Sequence, residues 1–257
     1  MEQQEAADFF NNTDLYLRNV AVDNVIFGYH DKELKVLLQL PAVFEKWTVT
    51  GGYIKRTESI EEAASRIAFS RTGLSNLFFE QFRSFGNTNR TKDNEKNAEK
   101  ISAFSGININ ADCWIFDRTV SIAFYTLTEF SRVQVTKSAF DAECRWWPVS
   151  DLPAMMFDHN AIITAALRAL RLHIAHYPIG YELLPEKFTL PEIHSLYETI
   201  LGKELDDRNF AKRLLATGII NKLNETKKIG AHRSPFLYKF DREKYDEGLM
   251  SGVALAF

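Results

Sequence analysis

Residues 52–74 read GYIKRTESIEEAASRIAFSRTGL, and this stretch carries most of the information about the fold. It opens on Gly52, a residue typical of turns. Over 59–71 the apolar side chains recur at helical spacing, and Ser59 with Glu62 matches a capping box, which marks the start of a helix. The stretch therefore predicts a strand, a loop, a helix and a second loop.

The rest of the N-terminal part is rich in predicted strands. Alternating and β-branched residues predict strands over 15–27, 34–40, 78–85, 120–127 and 144–149. The first two are joined by a short turn at 29–32, which indicates a hairpin. A second amphipathic helix is predicted over 160–176. This order of strands around two helices is typical of an α+β fold.

One segment of this part does not fit the pattern of short connections. Residues 87–117 form a long polar insertion between two strands. Loops of this length are usually functional or disordered. We expect a disordered segment or a mobile surface loop here.

The C-terminal part has a different pattern and a different charge. Helices are predicted over 191–201 and from Asp206 or Asp207 to 218, followed by strands over 219–223 and 236–240 with a basic turn between them. Two helices followed by a hairpin form a winged helix-turn-helix arrangement. Residues 203–233 contain eight Lys or Arg and four Asp or Glu, a charge of +4 within a chain of -3.

This local positive charge predicts a DNA-binding surface. In a helix-turn-helix, the first residues of the second helix enter the major groove, where Arg and Asn contact bases and Lys and Arg contact phosphates. The alternative is a solvated charged helix beside a basic loop. The predicted DNA contacts on the helix and on the hairpin are Arg208, Asn209, Lys212, Arg213, Lys227, Lys228, His232 and Arg233.

The opening stretch resembles the Nudix box, a motif of the form Gly, five residues, Glu, seven residues, Arg-Glu-apolar-any-Glu-Glu-any-Gly-apolar. Gly52, Glu58, Arg66, Gly73 and Leu74 all fall in register with it. The resemblance implies a Nudix-like α/β/α sandwich for the N-terminal part.

The catalytic part of the motif is missing. Nudix hydrolases use glutamates of the helix to hold Mg²⁺ or Mn²⁺, because these hard cations prefer oxygen ligands. The corresponding positions are Ile67, Ser70 and Arg71. We therefore expect no enzyme activity, no catalytic residues, no metal site and no cofactor.

The combination of the two parts resembles the bacterial Nudix-related transcription regulators, which include a repressor of NAD biosynthesis and regulators of arabinose and other sugar utilisation. The likeness to the sugar-responsive branch is the closer one. It implies an effector-sensing domain over 14–178 and a winged-helix domain over 183–245. The insertion departs from these relatives, which have a short loop there.

The resemblance implies a homodimer that binds a palindromic double-stranded DNA operator and responds to a small molecule in the former substrate cleft. We expect a sugar, in particular a pentose, and hence regulation of carbohydrate utilisation. Two alternatives stay open: a regulator of NAD metabolism that senses ADP-ribose or a related nucleotide, and an active Nudix hydrolase. Candidate effector contacts, each of which could instead be a surface ion pair or a helix cap, are Arg56, Glu58, Arg90, Asp117, Arg118, Asp158 and His159.

Composition gives the expected location. The chain has 257 residues, of which 46% are hydrophobic and 25% charged, and it contains two cysteines. No secretory signal is recognisable at the N-terminus, and arginines interrupt its most apolar helix candidate, 161–175. These features favour a cytoplasmic protein with reduced thiols and no association with a membrane.

Overall fold

The computed structural model describes residues 9–92, 94–174, 180–228 and 234–251. The chain divides into two compact units. The first contains residues up to Phe27, Lys35–Leu127 and Ser131–Ala166, and the second contains Gly28–Leu34, Thr128–Phe130 and the chain from Leu167 onward. The predicted domain ranges of 14–178 and 183–245 stay a prediction. No helix among the described residues is long and apolar enough to cross a membrane.

A six-stranded sheet is the main feature of the N-terminal part. Its strands are β1 (Tyr16–His30), β2 (Glu33–Pro41), β3 (Thr48–Lys55), β4 (Phe79–Phe85), β5 (Val120–Glu129) and β6 (Asp141–Pro148). They lie side by side in the order β4-β5-β1-β3-β2-β6, and β3 runs antiparallel to both β1 and β2. All five predicted strands are present, with ends that differ by up to three residues.

The turn between β1 and β2 explains their close pairing. Asp31 and Lys32 both have positive φ angles, 52° and 61°. Positive φ at both central residues is the geometry of the two-residue turns that match the twist of paired strands. The predicted hairpin is confirmed, since β1 and β2 pair directly.

Helix α1 (Ile60–Thr72) occupies the position that the opening stretch predicts. The Ser59 side chain accepts a hydrogen bond from the Glu62 backbone, and the Glu62 side chain accepts one from the Ser59 backbone, so the capping box is present. The helix ends at Gly73, which has a left-handed conformation that favours glycine. One face of α1 packs on the sheet through a cluster formed by Val22, Ile54, Ala63, Ala64, Ile67 and Phe124.

The insertion is folded over its described residues rather than disordered. It contains a short helix, α2 (Ala98–Ser105), which ends at Gly106. Ile101, Ile109 and Phe116 are buried together in a small apolar cluster. The sequence pattern did not indicate this cluster, because Ile101 lies in α2 while Ile109 and Phe116 lie after it, so that only the folded insertion brings them together.

Helix α3 (His159–His173) contains the division between the two units. The second unit then continues with β7 (Phe188–Thr189), α4 (Leu190–Leu201), α5 (Asp207–Ala216), β8 (Ile220–Thr226), β9 (Phe236–Phe240) and α6 (Arg242–Ser251). Its three strands form a sheet in the order β7-β9-β8. The predicted pattern of helix, turn, helix and hairpin is therefore present, while β7 and α6 were not predicted.

Aromatic side chains form much of the core of the second unit. The rings of Tyr197 on α4 and Phe210 on α5 lie 5.2 Å apart, centroid to centroid. The rings of Phe188 and Phe240 are 4.8 Å apart and join β7 to β9. The first contact holds α5 against α4, and the second holds the hairpin against the strand that precedes α4.

Candidate DNA-binding surface and effector site

Glu58 and Arg66 hold the loop after β3 against α1. Arg66 donates from Nε to Glu58 Oε2 at 2.8 Å and from Nη2 to Glu58 Oε1 at 2.6 Å. Glu58 also accepts a hydrogen bond from the Lys55 backbone N–H at 2.8 Å. The hydrogen bonds from Arg66 lower the pKa of the Glu58 carboxyl below its usual value. Both retained motif residues thus maintain the fold of the loop.

The side chains at the three positions that lack glutamates make structural contacts instead. Ile67 is buried in the core, and a Cβ atom added at Gly52 would lie 3.3 Å from its Cδ1. The Ser70 hydroxyl donates to the Ile67 carbonyl oxygen at 2.7 Å. Across the described residues, no group of three or more His, Cys, Asp or Glu side chains is placed to hold a metal ion.

Arg71 forms a buried network where a Nudix hydrolase would carry a metal ligand. Its Nη2 lies 3.1 Å from Asp141 Oδ2, and its Nε donates to Gln39 Oε1 at 3.0 Å. Its Nη2 also donates to the Ser138 hydroxyl at 3.0 Å, and that hydroxyl donates to Asp141 at 2.7 Å. The guanidinium therefore links α1 to β2 and to the start of β6.

A second buried network surrounds Arg90, one of the predicted effector residues. Its Nη2 lies 3.0 Å from Asp23 Oδ2, and its Nε lies 3.0 Å from Asp158 Oδ1. Ser121 donates a short hydrogen bond to Asp23. Two carboxylates thus flank one buried guanidinium, whose charge is paired although it is almost excluded from water.

His159 completes this network as a neutral side chain. The Val49 backbone N–H donates to Nδ1 at 3.1 Å, so the ring proton is assigned to Nε2, which lies 4.0 Å from Asp23 Oδ2. Burial lowers the pKa of the imidazole, although the Asp23 carboxylate acts in the opposite direction.

The structure brings together only some of the predicted effector residues. Arg90, Asp158 and His159 meet at Asp23, which the sequence interpretation missed. A carboxylate within the apolar run of β1 was the available signal, because such a residue needs a buried partner. Arg56 donates to the Asp14 carbonyl at 2.9 Å at an exposed site elsewhere. Glu58 is held by Arg66 in the loop after β3, and Asp117 and Arg118 are exposed. Effector contacts at all seven predicted residues stay a prediction.

The predicted recognition helix has the required two faces. Asp206 caps α5 by accepting a hydrogen bond from the Asn209 backbone at 2.8 Å. Phe210 and Leu214 are buried against the rest of the unit, whereas Leu215 is 43% exposed. The four predicted DNA contacts on this helix are all exposed: Arg208, Asn209, Lys212 and Arg213.

The hairpin formed by β8 and β9 supplies the wing. Lys227 is exposed in part but forms an ion pair with Glu192, the capping-box residue of α4. Lys228 is exposed and forms no ion pair among the described residues. His232 and Arg233, also predicted to contact DNA, lie outside the described residues.

Comparison with known proteins identifies the C-terminal domain. Residues 180–240 match the model of the NrtR DNA-binding winged helix domain. The ADPR responsive transcriptional repressor NtrR of Acinetobacter baylyi is 24% identical over 232 residues, which cover 88% of this chain and 84% of that protein.

Solved structures extend the likeness to both domains. NrtR of Shewanella oneidensis is 25% identical with a TM-score of 0.70, covering 89% of this chain and 96% of that one. A crystal structure of the same relative with a 27mer DNA gives a TM-score of 0.71 at 24% identity, covering 89% of this chain and 96% of that one. A MutT/nudix family protein of Enterococcus faecalis shares the fold, with a TM-score of 0.64 at 18% identity. The match covers 93% of this chain and 98% of that one. The chain is therefore similar to NrtR in sequence over its C-terminal domain and in fold over both domains.

These findings confirm one part of the sequence interpretation of this NrtR-like chain and correct another. The α+β fold, a Nudix-like domain followed by a winged helix, is confirmed. The closer likeness to sugar-responsive regulators is wrong, and so is the expected role in carbohydrate, in particular pentose, utilisation. The Acinetobacter baylyi relative that matches most of the chain is named for its response to ADPR, ADP-ribose, and the winged helix is of the NrtR kind.

Proposed function

We propose that the chain is a DNA-binding transcriptional regulator whose first unit senses ADP-ribose or a related nucleotide. The observation that carries the proposal is the exposed face of α5 with Arg208, Asn209, Lys212 and Arg213, opposite the buried Phe210 and Leu214. This is the arrangement by which a recognition helix packs on its own domain while its first turns enter a major groove.

The nucleotide effector is supported by the Acinetobacter baylyi relative, which is described as ADPR responsive and aligns with most of this chain. This supports the alternative of a regulator of NAD metabolism. The effector must bind the DNA-bound and DNA-free forms with different affinities, because equal binding would shift nothing.

We propose that the Nudix-like unit binds a nucleotide without hydrolysing it. Support comes from Ile67 and Ser70, which offer no acidic ligand to a metal, and from Arg71, whose guanidinium would repel one. Incubation of the protein with ADP-ribose and Mg²⁺ or Mn²⁺ should release no AMP. Release at a rate proportional to protein concentration would contradict this part of the proposal.

We further propose a homodimer on a palindromic operator in the cytoplasm, where the DNA is. Two-fold symmetry places two recognition helices on half-sites about one helical turn, roughly 34–36 Å, apart. Light scattering of the free protein, and of its DNA complex, would give the number of chains. A single chain per operator would contradict the proposal.

The central experiment is a gel-mobility assay with the DNA upstream of the protein's own gene and with a random duplex of equal length. We expect tighter binding to the upstream DNA, a steep loss of affinity with salt, and a change in binding on addition of ADP-ribose. Arabinose should have no effect. Failure to bind either duplex at low salt would overturn the DNA-binding function.

A further inference from the structure

A cleft of about 280 Å³ opens in the first unit, beside the network around Arg90 but lined by none of the residues that the sequence predicted as effector contacts. Three segments form it: the chain after β2, the insertion, and the loop before α3. Its principal lining residues are Phe44, Lys46, Lys92, Lys100, Met156 and Phe157.

The charge of this cleft is strongly unbalanced. Lys46 comes from the chain after β2, and Lys92 and Lys100 come from the insertion. Among the lining residues that the structure describes, Glu45 is the one carboxylate. Within the described part of the chain, Lys46, Lys92 and Lys100 form no ion pair. Asn97, which also lines the cleft, donates to the Asn94 carbonyl oxygen at 3.1 Å. The three ammonium groups are therefore available to an anionic ligand.

Two of the walls are fixed to each other by backbone bonds. The Trp47 N–H donates to the Ala154 carbonyl at 2.9 Å, and the Met156 N–H donates to the Trp47 carbonyl at 2.8 Å. Lys46 and Phe157 are the neighbours of these bonded residues, so their backbones are held in place across the cleft.

The insertion is fixed by the two clusters already described. Lys92 lies two residues after Arg90, which is held by Asp23 and Asp158. Lys100 precedes Ile101, and the apolar cluster around Ile101 includes Phe44 of the opposite wall. Rigid walls that present cations lower the entropy cost of binding an anionic ligand.

Phe157 adds an aromatic surface at the edge of the cleft. The residue is 42% exposed, and its φ angle of 49° places a bulky side chain in the left-handed region. Its ring also packs edge-on against the ring of His159, 5.5 Å away. Such strained residues persist where the surroundings hold them, and they are concentrated at ligand sites. An exposed ring at this position offers a face for a ribose or a base.

We propose that this cleft binds the diphosphate of the nucleotide effector through Lys46, Lys92 and Lys100, with Phe157 against the adjoining sugar or base. The volume is slightly below the roughly 300–1,000 Å³ of pockets that enclose whole ligands, so the remainder of the nucleotide extends beyond it. The inference rests on the proposed response to a nucleotide. It assigns the diphosphate to three lysines that take no part in the buried networks described above.

The test is calorimetric titration of the full-length protein with ADP-ribose, ADP, inorganic pyrophosphate and arabinose. Lys46→Gln, Lys92→Gln and Lys100→Gln should each weaken binding of ADP-ribose about three- to tenfold, as expected for a partly exposed charged contact. Lys96→Gln is the matched control, because Lys96 carries the same charge in the same insertion but does not line the cleft. Glu45→Gln should strengthen binding two- to threefold, since it removes the negative charge. The melting temperature without ligand checks that each variant is folded.

The outcomes separate the cleft from the proposed function. If the native protein binds ADP-ribose but the three cleft variants bind it as tightly as Lys96→Gln does, the diphosphate binds elsewhere and the cleft assignment is wrong. If pyrophosphate and ADP bind in a lysine-dependent way while ADP-ribose does not, the cleft is correct and the effector is a different nucleotide. Binding of none of the three anions to the native protein would overturn both.

Discussion

Arg71 is the single residue that most clearly separates this site from that of a hydrolase. Its guanidinium and the Asp141 carboxylate are both buried and pair at 3.1 Å. Removal of one partner of a buried pair costs about 3–5 kcal/mol, because the other charge is left in a poor solvent. We therefore predict that Arg71→Gln lowers the free energy of unfolding by about this amount, measured by urea denaturation.

An exposed arginine provides the control for this prediction. Arg118 lies on the surface of the same unit, and Arg118→Gln should change the free energy of unfolding by less than about 0.5 kcal/mol. Equal losses for the two variants would mean that the buried network around Arg71 contributes no special stability.

A pH dependence follows from His159. Burial lowers the pKa of its imidazole in the folded state, so the unfolded chain binds more protons once the pH falls below the usual histidine value of about 6.5. Stability contributed by the neutral ring is present above that pH and is lost as the pH falls toward the folded pKa. The loss is at most about 1.4 kcal/mol per pH unit.

His159→Asn isolates this contribution, because the asparagine oxygen can still accept the hydrogen bond from the Val49 N–H. We predict that the native protein loses more stability than the variant between pH 7 and pH 5, measured by urea denaturation at each pH. Parallel pH profiles for the two proteins would show that another group, not His159, carries the dependence.

Helices and strands illustrate what the sequence could predict. Helix α1 was found because its signals are local: Ser59 and Glu62 are three residues apart, and its apolar face repeats at helical spacing. The partners of buried charges were not found, because Asp23 and Arg90 are 67 residues apart and only the fold brings them together. The cleft lysines were missed for the same reason, since they come from two distant segments.

The recognition helix and the wing lead to a prediction about DNA. If Arg208 and Asn209 contact bases, Arg208→Ala and Asn209→Ala should each weaken binding to the specific operator by about 1–3 kcal/mol. Lys228→Ala should weaken all sequences alike and reduce the salt slope by about one charge. Lys227 is the less suitable phosphate probe, because its ion pair with Glu192 must be broken first. Equal losses for Arg208→Ala on specific and random DNA would make Arg208 a phosphate contact.

At the scale of the whole molecule, the proposed function requires that the effector and DNA influence each other. Any coupling between two binding equilibria is reciprocal, so the factor by which ADP-ribose changes operator affinity must equal the factor by which the operator changes ADP-ribose affinity. Couplings of this kind are typically about 5- to 150-fold. This equality holds whatever structural change links the two units.

We therefore predict that two ratios are equal. The first is the ratio of the dissociation constants for ADP-ribose measured on the free protein and on the protein saturated with operator DNA. The second is the ratio of the operator affinities measured with and without ADP-ribose. Fluorescence anisotropy of a labelled operator measures one factor, and calorimetry measures the other. Random DNA at the same concentration is the control for a nonspecific effect of charge. If saturating operator leaves the affinity for ADP-ribose unchanged, the nucleotide binds the protein without regulating its binding to DNA. This follows because a ligand with equal affinity for two states cannot shift the balance between them.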